Sequence, residues 1–484
     1  MSTVKIIDTT FRDGQQCLWA TRMSTGAMLP VAETLDHAGF EAIEVVGAVQ
    51  FDAAVRYLRE DPWERLRLLR QRITRTPMQA VVRSGCVLGF ELLPQDVNDL
   101  WIERLVANGI RQFVAFDGLH DLDNIVPSLK LAKQLGAHTV GWLTFSESPV
   151  HTDELYVAKA REYIDRADVD GVLIEDASGV LTPERVATLV PALKAAIGNR
   201  RLGVHTHGLL GLPQRTQLAA AALGVDHVYT CVPPLADANA PPSVFTTVHN
   251  LEQSGYETGV SVDRLRQMEQ HLEAIAAREG FQRGKPMDFD ASFFKHQIPG
   301  GVLSNLTAQL KVAGLEDRLP KVLEECGRVR AELGWPIQVT PFAQFIGVQA
   351  TLNVIHGERY RIVPNEIKKY ALGYYGKLLA PVEPDILDRI VSNGSSNIAL
   401  EPKPLEPMLP IIRKRHPNSD GDELLLRLSF DDAVLEPMRS NRPDYASWTI
   451  ADKPIVHLLK EIAKRPAASR VFISQGNVSV ELRR

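Results

Sequence analysis

The chain has 484 residues, a formal net charge of −5 and 45% hydrophobic residues. This length is enough for two or three structural units, and the composition is typical of a soluble globular protein. The small negative charge gives no electrostatic reason to expect nucleic acid or an anionic membrane as a partner. No apolar run reaches the ~18–20 residues that span a bilayer. The first residues, MSTVKIIDTTFRDG, lack the features of a secretory signal, so we expect a cytoplasmic protein.

The cysteine content points to the same compartment. Cys17, Cys86, Cys231 and Cys326 are widely separated, and no two of them form a CxxC pair. This spacing fits reduced thiols better than a disulfide framework or a thiolate zinc site. We expect Cys86 and Cys231, which follow predicted strands, to be buried and inert.

From residue 4 to about residue 260, short apolar strands alternate with amphipathic helical stretches. Such alternation is typical of a parallel sheet covered on both faces, and eight strands in about 230 residues fit a (β/α)8 TIM barrel. A doubly wound open sheet is the alternative, but no GxGxxG follows the first strand. The predicted strands cover residues 4–11, 42–47, 78–83, 112–117, 138–145, 171–176, 202–208 and 226–232.

The pattern changes after about residue 280, where long helical stretches replace the strands. A Pro-rich run, ALEPKPLEPMLP (399–410), indicates a link, and Gly476-Asn477 is a plausible hairpin turn after a helical stretch. We predict a catalytic TIM barrel over residues 1–280, a helical domain packing on the barrel mouth over 281–398, and a linker with a helix-plus-hairpin tail over 399–484.

Catalytic groups of a TIM barrel lie where the strands end, at the C-terminal face. The run HTH places His205 and His207 two residues apart on a strand, so both imidazoles point to one face. Such a pair can bind a divalent transition metal, and Asp13, after the first strand, is a candidate third ligand. Two structural or loop histidines are the alternative.

Other polar side chains fall at the same end of the barrel. Arg83 ends the third strand, and its guanidinium offers a bidentate fork for a substrate carboxylate. A salt bridge with Asp117 or another strand-end acid explains Arg83 equally well. Arg12 either holds an anion or forms an ion pair. Gln15 and Gln16 either donate to a substrate oxygen or satisfy backbone groups.

Several long stretches, in order, resemble one enzyme family. The chain is similar over nearly its whole length to the carboxyltransferase component of biotin-dependent carboxylases and decarboxylases. The resembling stretches include RDGQQCLWATRM, EDPWERLRLLR, SPVHT, FKHQIPGGVLSNL, VTPFAQFIGVQATLNVIHGERY and LGYYGKLLAPVEP.

The resemblance implies a divalent metal, which we expect to be Zn, Mn or Co. The family binds it through an aspartate, two histidines and a carbamylated lysine. Asp13, His205 and His207 match the first three, but Glu175 stands at the lysine position, followed by Asp176. Glutamate cannot be carbamylated. Glu175 therefore either ligates the metal directly, or binds it through water and acts as a general acid or base.

The resemblance also implies a substrate site for a small 2-oxo acid. Arg83 matches the arginine that binds the oxo-acid carboxylate, and Gln16 matches the glutamine that contacts its carbonyl group. We place Arg12 and Phe90 in the same substrate site. Asn239 stands where many members have a threonine that moves a proton between substrate and biotin, and asparagine has no titratable proton.

Three functions remain open on this basis. We favour the first, a metal-dependent enzyme that works through an enolate without biotin, such as decarboxylation of an oxaloacetate-like acid or a related C–C bond cleavage or formation, because the residues for making the enolate match the family and those for exchange with biotin differ. The second is a carboxyltransferase subunit that uses a separate biotin carrier protein, because the chain has no biotin carboxylase domain and no biotinyl-lysine motif. The third is an inactive scaffold. The resemblance further implies a homodimer.

Overall fold

The computed structural model describes residues 2–89, 92–312, 314–441, 443, 445, 470–475 and 478–483. Its centre is a closed barrel of parallel strands that pair in chain order, with the last strand against the first. The predicted TIM barrel is therefore confirmed. The strands are β1 (Lys5–Asp8), β2 (Ala42–Val46), β3 (Met78–Arg83), β4 (Gln112–Phe116), β5 (His138–Thr144), β6 (Gly171–Asp176), β7 (Arg201–Thr206) and β8 (His227–Thr230).

Helices surround the barrel, and several begin at polar caps that satisfy otherwise unpaired backbone N–H groups. The side chains of Ser24, Thr152 and Thr182 each accept a hydrogen bond from a backbone N–H three residues later. The helices are α1 (Gln15–Leu18), α2 (Thr25–Asp36), α3 (Ala48–Ala53), α4 (Pro62–Arg72), α5 (Gln95–Ala107), α6 (Val126–Gln134), α7 (Asp153–Ala167), α8 (Pro183–Ile197), α9 (Pro213–Ala222), α10 (Val244–Gln253) and α11 (Val262–Glu279).

A second group of helices follows and packs around its own apolar core. The segment between two of these helices enters the barrel mouth, where Ile337 and Val339 are 2% and 8% exposed and pack with Phe116 and Trp142 of the barrel interior. The barrel core is thus completed by residues from outside the barrel. These helices are α12 (Phe293–His296), α13 (Gly300–Val312), α14 (Leu319–Glu332), α15 (Phe342–His356), α16 (Asn365–Ala371) and α17 (Pro384–Asn393).

Three more helices lie within the segment that the sequence indicated as link and tail: α18 (Leu409–Arg415), α19 (Gly421–Ser429) and α20 (Asp432–Ser440). Apolar side chains of all three helices join the core around the barrel, and one carboxylate of α19 adds a cluster of hydrogen bonds. Asp422 accepts hydrogen bonds from Arg67, Arg104 and Asn108 at 2.7–3.3 Å. Its backbone oxygen accepts from the Trp63 indole at 3.2 Å.

The predicted hairpin is present as β9 (Arg470–Gln475) and β10 (Val478–Arg483), which pair antiparallel. Its turn at 476–477 and the predicted tail helix lie outside the described residues. The domain boundaries at 280 and 398 stay a prediction. None of the helices in the described part of the chain combines the length and the apolar character needed to cross a membrane.

Candidate metal centre and active site

Three predicted ligands meet at the C-terminal end of the barrel. Asp13 Oδ2 lies 2.9 Å from His205 Nε2 and 3.1 Å from His207 Nε2. Their candidate ligand atoms all lie within 4.8 Å of one another, and all three residues are buried. The sequence prediction that these side chains converge is therefore matched by the geometry.

Local structure explains how a short loop and a strand end supply this cluster. After β1 the chain makes one π-helical turn, Thr10–Gly14, and the Thr9 hydroxyl accepts from the Asp13 backbone N–H at 3.3 Å. Gly14 is required because a Cβ there would lie 2.6 Å from the Leu235 carbonyl oxygen. His205 lies on β7, and the His205 and His207 rings stack with centroids 5.3 Å apart.

The hydrogen bonds around the histidines fit a bound cation. His207 Nδ1 lies 2.6 Å from the Asn239 carbonyl oxygen, which can only accept, so Nδ1 donates, and Nε2, which faces Asp13, is the nitrogen that can bind a cation once it loses its proton. This is how metal-binding histidines are usually oriented. One carboxylate and two imidazoles suit Zn²⁺, Mn²⁺ or Co²⁺. The described residues therefore fit a divalent metal.

Arg12 forms ion pairs in the structure. Its Nη1 lies 2.9 Å from Asp13 Oδ1, and its Nε donates to Glu44 Oε1 at 2.5 Å. Its remaining nitrogen, Nη2, is buried without a hydrogen-bond partner. Arg12 thus orients Asp13, and one of its nitrogens has no hydrogen-bond partner.

Arg83 ends β3 near the barrel mouth, but its guanidinium is engaged by its own loop. Its Nε and Nη2 donate to the Cys86 carbonyl oxygen at 3.3 and 3.0 Å, and Nη2 also donates to the Gly89 carbonyl oxygen. Asp117, the candidate salt-bridge partner, accepts from the Ser84 hydroxyl and from Asn124. The predicted substrate residue Phe90 lies outside the described residues.

Two other predicted site residues, Gln16 and Asn239, lie near the three candidate metal ligands. Gln16 is half-buried and its side-chain oxygen accepts from Gln50 Nε2 at 3.0 Å. Asn239 Nδ2 donates to the Cys17 carbonyl oxygen at 3.4 Å. Gly300, at the start of α13, packs on Asn239 so closely that a Cβ would lie 2.4 Å from the Asn239 Cβ. The helical region therefore covers this side of the site.

Comparisons with known proteins assign the family. The model of a conserved carboxylase domain matches residues 293–460, and an HMGL-like model matches 119–272. A pyruvate carboxylase subunit from Methanocaldococcus jannaschii is 40% identical over 407 residues, which is 84% of this chain and 71% of that protein. The chain belongs to the carboxyltransferase family of biotin-dependent carboxylases.

Two further comparisons agree with this assignment. The corresponding pyruvate carboxylase subunit from Methanothermobacter thermautotrophicus is 34% identical over 474 residues, or 98% of this chain and 82% of that protein. The carboxyl transferase domain of Rhizobium etli pyruvate carboxylase, solved with pyruvate, has a TM-score of 0.83 at 23% identity and covers 99% of this chain and 83% of that one. That structure supports the fold. The predicted resemblance and enzyme class are confirmed.

Burial and charge set the protonation of the three candidate metal ligands. Burial opposes the charge of Asp13, but Arg12 and His207 outweigh it and hold the pKa of Asp13 well below its usual range. Burial likewise opposes the charge of His207, but the Asp13 carboxylate raises the pKa of His207 well above its usual range. Burial lowers the pKa of His205. Without metal, Asp13 and His207 therefore form a buried ion pair.

Glu175, at the position of the family lysine, is hydrogen-bonded to a tryptophan beside these ligands. It is 3% exposed, and its Oε2 accepts a hydrogen bond from the Trp142 indole Nε1 at 3.1 Å. Burial raises the pKa of Glu175 to about 8, opposed by His207 and assisted by the negative charge of Asp13. Glu175 is not part of the described cluster whose ligand atoms lie within 4.8 Å of one another. Its predicted role as a ligand stays a prediction.

The sequence interpretation missed three side chains next to the site. Cys17 Sγ lies 3.5 Å from Asp13 Oδ1 and 3.9 Å from His207 Nδ1. Its position four residues after Asp13, one helical turn away, was a usable signal. Glu44 was signalled by a lone charge within the apolar strand AIEVV. Trp142 has no such signal, because an indole in a buried strand reads as core.

Proposed function

We propose that this chain is the carboxyltransferase subunit of a biotin-dependent enzyme, and that it exchanges a carboxyl group between a small 2-oxo acid and biotin on a separate carrier protein. The observation that carries the proposal is the convergence of Asp13, His205 and His207 at the barrel mouth, beside Arg12. Both relatives described above are named as subunits of pyruvate carboxylase. Pyruvate is therefore the first substrate to test.

The chemistry requires a site that stabilises an enolate. Asp13, His205 and His207 would hold a divalent cation, which supplies Lewis-acid polarisation of the substrate carbonyl group. Zn²⁺, Mn²⁺ and Co²⁺ are the candidates. The 2-oxo acid loses a proton from the carbon beside its carbonyl group to form the enolate. That carbon forms a C–C bond to the carboxyl carbon as the bond from the carboxyl carbon to the biotin nitrogen breaks, and the biotin nitrogen takes up the proton. The reverse reaction breaks the C–C bond and returns the carboxyl group to biotin.

The chain's own polar groups orient the 2-oxo acid. Arg83 binds the substrate carboxylate, after its hydrogen bonds to the Cys86 and Gly89 carbonyl oxygens are exchanged for bonds to the substrate. The side-chain amide N–H of Gln16 donates to the carbonyl oxygen of the substrate. Arg12 Nη2, which has no hydrogen-bond partner in the protein, would donate to a substrate oxygen. Together these donors favour the enolate over the ketone, because the enolate oxygen carries more negative charge than the ketone oxygen.

Biotin-independent decarboxylation of an oxaloacetate-like acid is the second candidate, and two residues favour it. Glu175 replaces the family lysine, and Asn239 replaces the threonine that carries a proton between substrate and biotin. Decarboxylation needs the enolate-stabilising groups and no proton transfer to biotin.

An inactive scaffold is the weakest candidate, because it gives no reason to retain the three candidate metal ligands. A homodimer, implied by the family, is a separate proposal that light scattering can test.

One experiment separates the two enzymatic candidates. Exchange of label between pyruvate and oxaloacetate is measured with the metal-loaded protein, with and without carboxybiotin or a biotinylated carrier. Exchange that requires the carrier supports the carboxyltransferase. Loss of oxaloacetate at an equal rate without biotin supports the decarboxylase. Asp13→Asn is the control for both, because it removes the cation while leaving the remaining donors in place. Absence of both reactions in the metal-loaded protein contradicts both proposals.

A further inference from the structure

Trp142 lies in the barrel interior, near two side chains of the proposed active site, His205 and Arg12. Its ring centroid is 4.9 Å from Phe116 and 6.0 Å from His205, and the Arg12 guanidinium carbon lies 6.0 Å from its centroid. It is 3% exposed and belongs to the apolar cluster inside the barrel. The indole is therefore fixed by packing on several sides.

The one hydrogen-bond donor of this indole is used on Glu175. An indole N–H can only donate, and Trp142 Nε1 lies 3.1 Å from Glu175 Oε2. Glu175 reaches the barrel interior at the same level as His205, because the two residues are direct neighbours in the β6–β7 register. The Glu175 carboxylate thus starts beside a metal ligand but is bonded to the tryptophan.

The remaining ligands are arranged without Glu175. Asp13 Oδ2 faces both histidine Nε2 atoms within 3.1 Å, and Arg12 holds the other Asp13 oxygen. A carboxylate that is hydrogen-bonded to a packed, immobile donor loses that bond if it moves to a cation. The loss of that hydrogen bond opposes the movement.

We infer that Trp142 is a positioning residue that holds the Glu175 carboxylate outside the coordination sphere, so that Asp13, His205 and His207 are the protein ligands of the cation. The inference rests on the proposed metal-dependent function. It assigns Trp142 a role in setting the number of protein ligands and thereby leaves a coordination position for substrate or water. A catalytic metal differs from a structural one by such an open position.

The test uses Co²⁺ alone, without substrate, so that its outcome does not depend on which reaction the enzyme catalyses. Metal-free full-length protein is titrated with Co²⁺, and the visible absorption spectrum reports ligand number and type. Wild type, Glu175→Gln, Trp142→Phe and the double variant are compared. Trp63→Phe is the matched control, because Trp63 is also buried and donates its indole N–H to a backbone oxygen, but outside the barrel.

Glu175→Gln is expected to leave the Co²⁺ spectrum unchanged and its affinity within about two-fold, because Asp13, His205 and His207 and the groups that orient them are unchanged; loss of a direct ligand would lower the affinity by more than the 10–100-fold that ligand-orienting residues contribute. Trp142→Phe frees Glu175 to coordinate, so Co²⁺ binding becomes about 10-fold tighter with an altered spectrum. The double variant returns to the wild-type spectrum. Trp63→Phe changes none of these readings.

Two results overturn the inference. A weaker affinity and altered spectrum in Glu175→Gln alone would make Glu175 a direct ligand. A wild-type spectrum and affinity in Trp142→Phe would mean that the indole restrains nothing. If Trp142→Phe does not fold, the Glu175→Gln titration still decides whether Glu175 coordinates. Failure of the wild type to bind Co²⁺ would instead contradict the metal-dependent function itself.

Discussion

The two sides of the barrel mouth differ in how ready they are for a ligand. On one side, Asp13 Oδ2 already lies within 3.1 Å of His205 Nε2 and of His207 Nε2, and Arg12 fixes the carboxylate. On the other side, Arg83 donates to carbonyl oxygens of its own loop. Cation binding therefore needs little rearrangement, whereas substrate binding requires Arg83 to exchange hydrogen bonds. The difference implies that the metal ligands are better prearranged than the substrate-binding arginine.

The largest effect is expected on the prearranged side. Asp13→Asn removes the carboxylate that both imidazoles face, and loss of a direct ligand should cost more than the 10–100-fold that residues outside the coordination sphere contribute. We expect Co²⁺ affinity to fall at least about 100-fold, measured by titration of the metal-free protein. His205→Ala and His207→Ala should lower the metal content of protein purified without chelator. Unchanged metal content in all three variants would remove this cluster as the metal site.

A smaller effect is expected on the side that must rearrange. Arg83→Lys keeps the charge but loses the bidentate geometry, so oxalate, an enolate mimic, should bind about 10–100-fold more weakly to the metal-loaded protein. Calorimetry measures the affinity, and metal analysis checks that the cation remains bound. Equal oxalate affinity in Arg83→Lys and wild type would exclude Arg83 from the substrate site.

Gln16 should contribute less than Arg83, because its amide is neutral. Gln16→Ala removes one hydrogen bond to the substrate carbonyl side, and oxalate affinity should fall about three- to ten-fold with the metal content unchanged. The same titration, run beside Arg83→Lys, ranks the two residues. A loss as large as that of Arg83→Lys would mean that Gln16 also maintains the loop, through its hydrogen bond with Gln50.

The smallest effect concerns pH and the buried Glu175. Burial raises its pKa from near 4.5 to about 8, so the folded metal-free protein binds this proton more tightly than the unfolded chain does. The resulting stability is present below pH ~4.5 and is lost as pH rises towards 8. Between pH 5 and 8.5 the Tm of metal-free wild type should fall by a few °C relative to Glu175→Gln. Parallel Tm curves for the two proteins would show that Glu175 does not titrate in this range.

The sequence predicted the parts of the site that follow from strand periodicity. His205 and His207 alternate on one strand, and Asp13 follows another, so their meeting at one barrel end depends only on the fold. The partners of Arg83 could not be predicted in this way, because they are backbone oxygens of an irregular loop. The hydrogen bond between Trp142 and Glu175 could not be predicted either, because a tryptophan in an apolar strand is expected to pack in the core. Helices α18–α20 were missed because each is only seven to nine residues long.

Ile337 and Val339 couple the folding of the helical region to that of the barrel. They come from the helical region, yet they fill the interior of the barrel against Phe116 and Trp142. Departure of the helical region would expose the apolar floor that packs against His205. The two regions therefore share one cooperative unit of unfolding, and heating should melt the helices and release the cation at the same temperature.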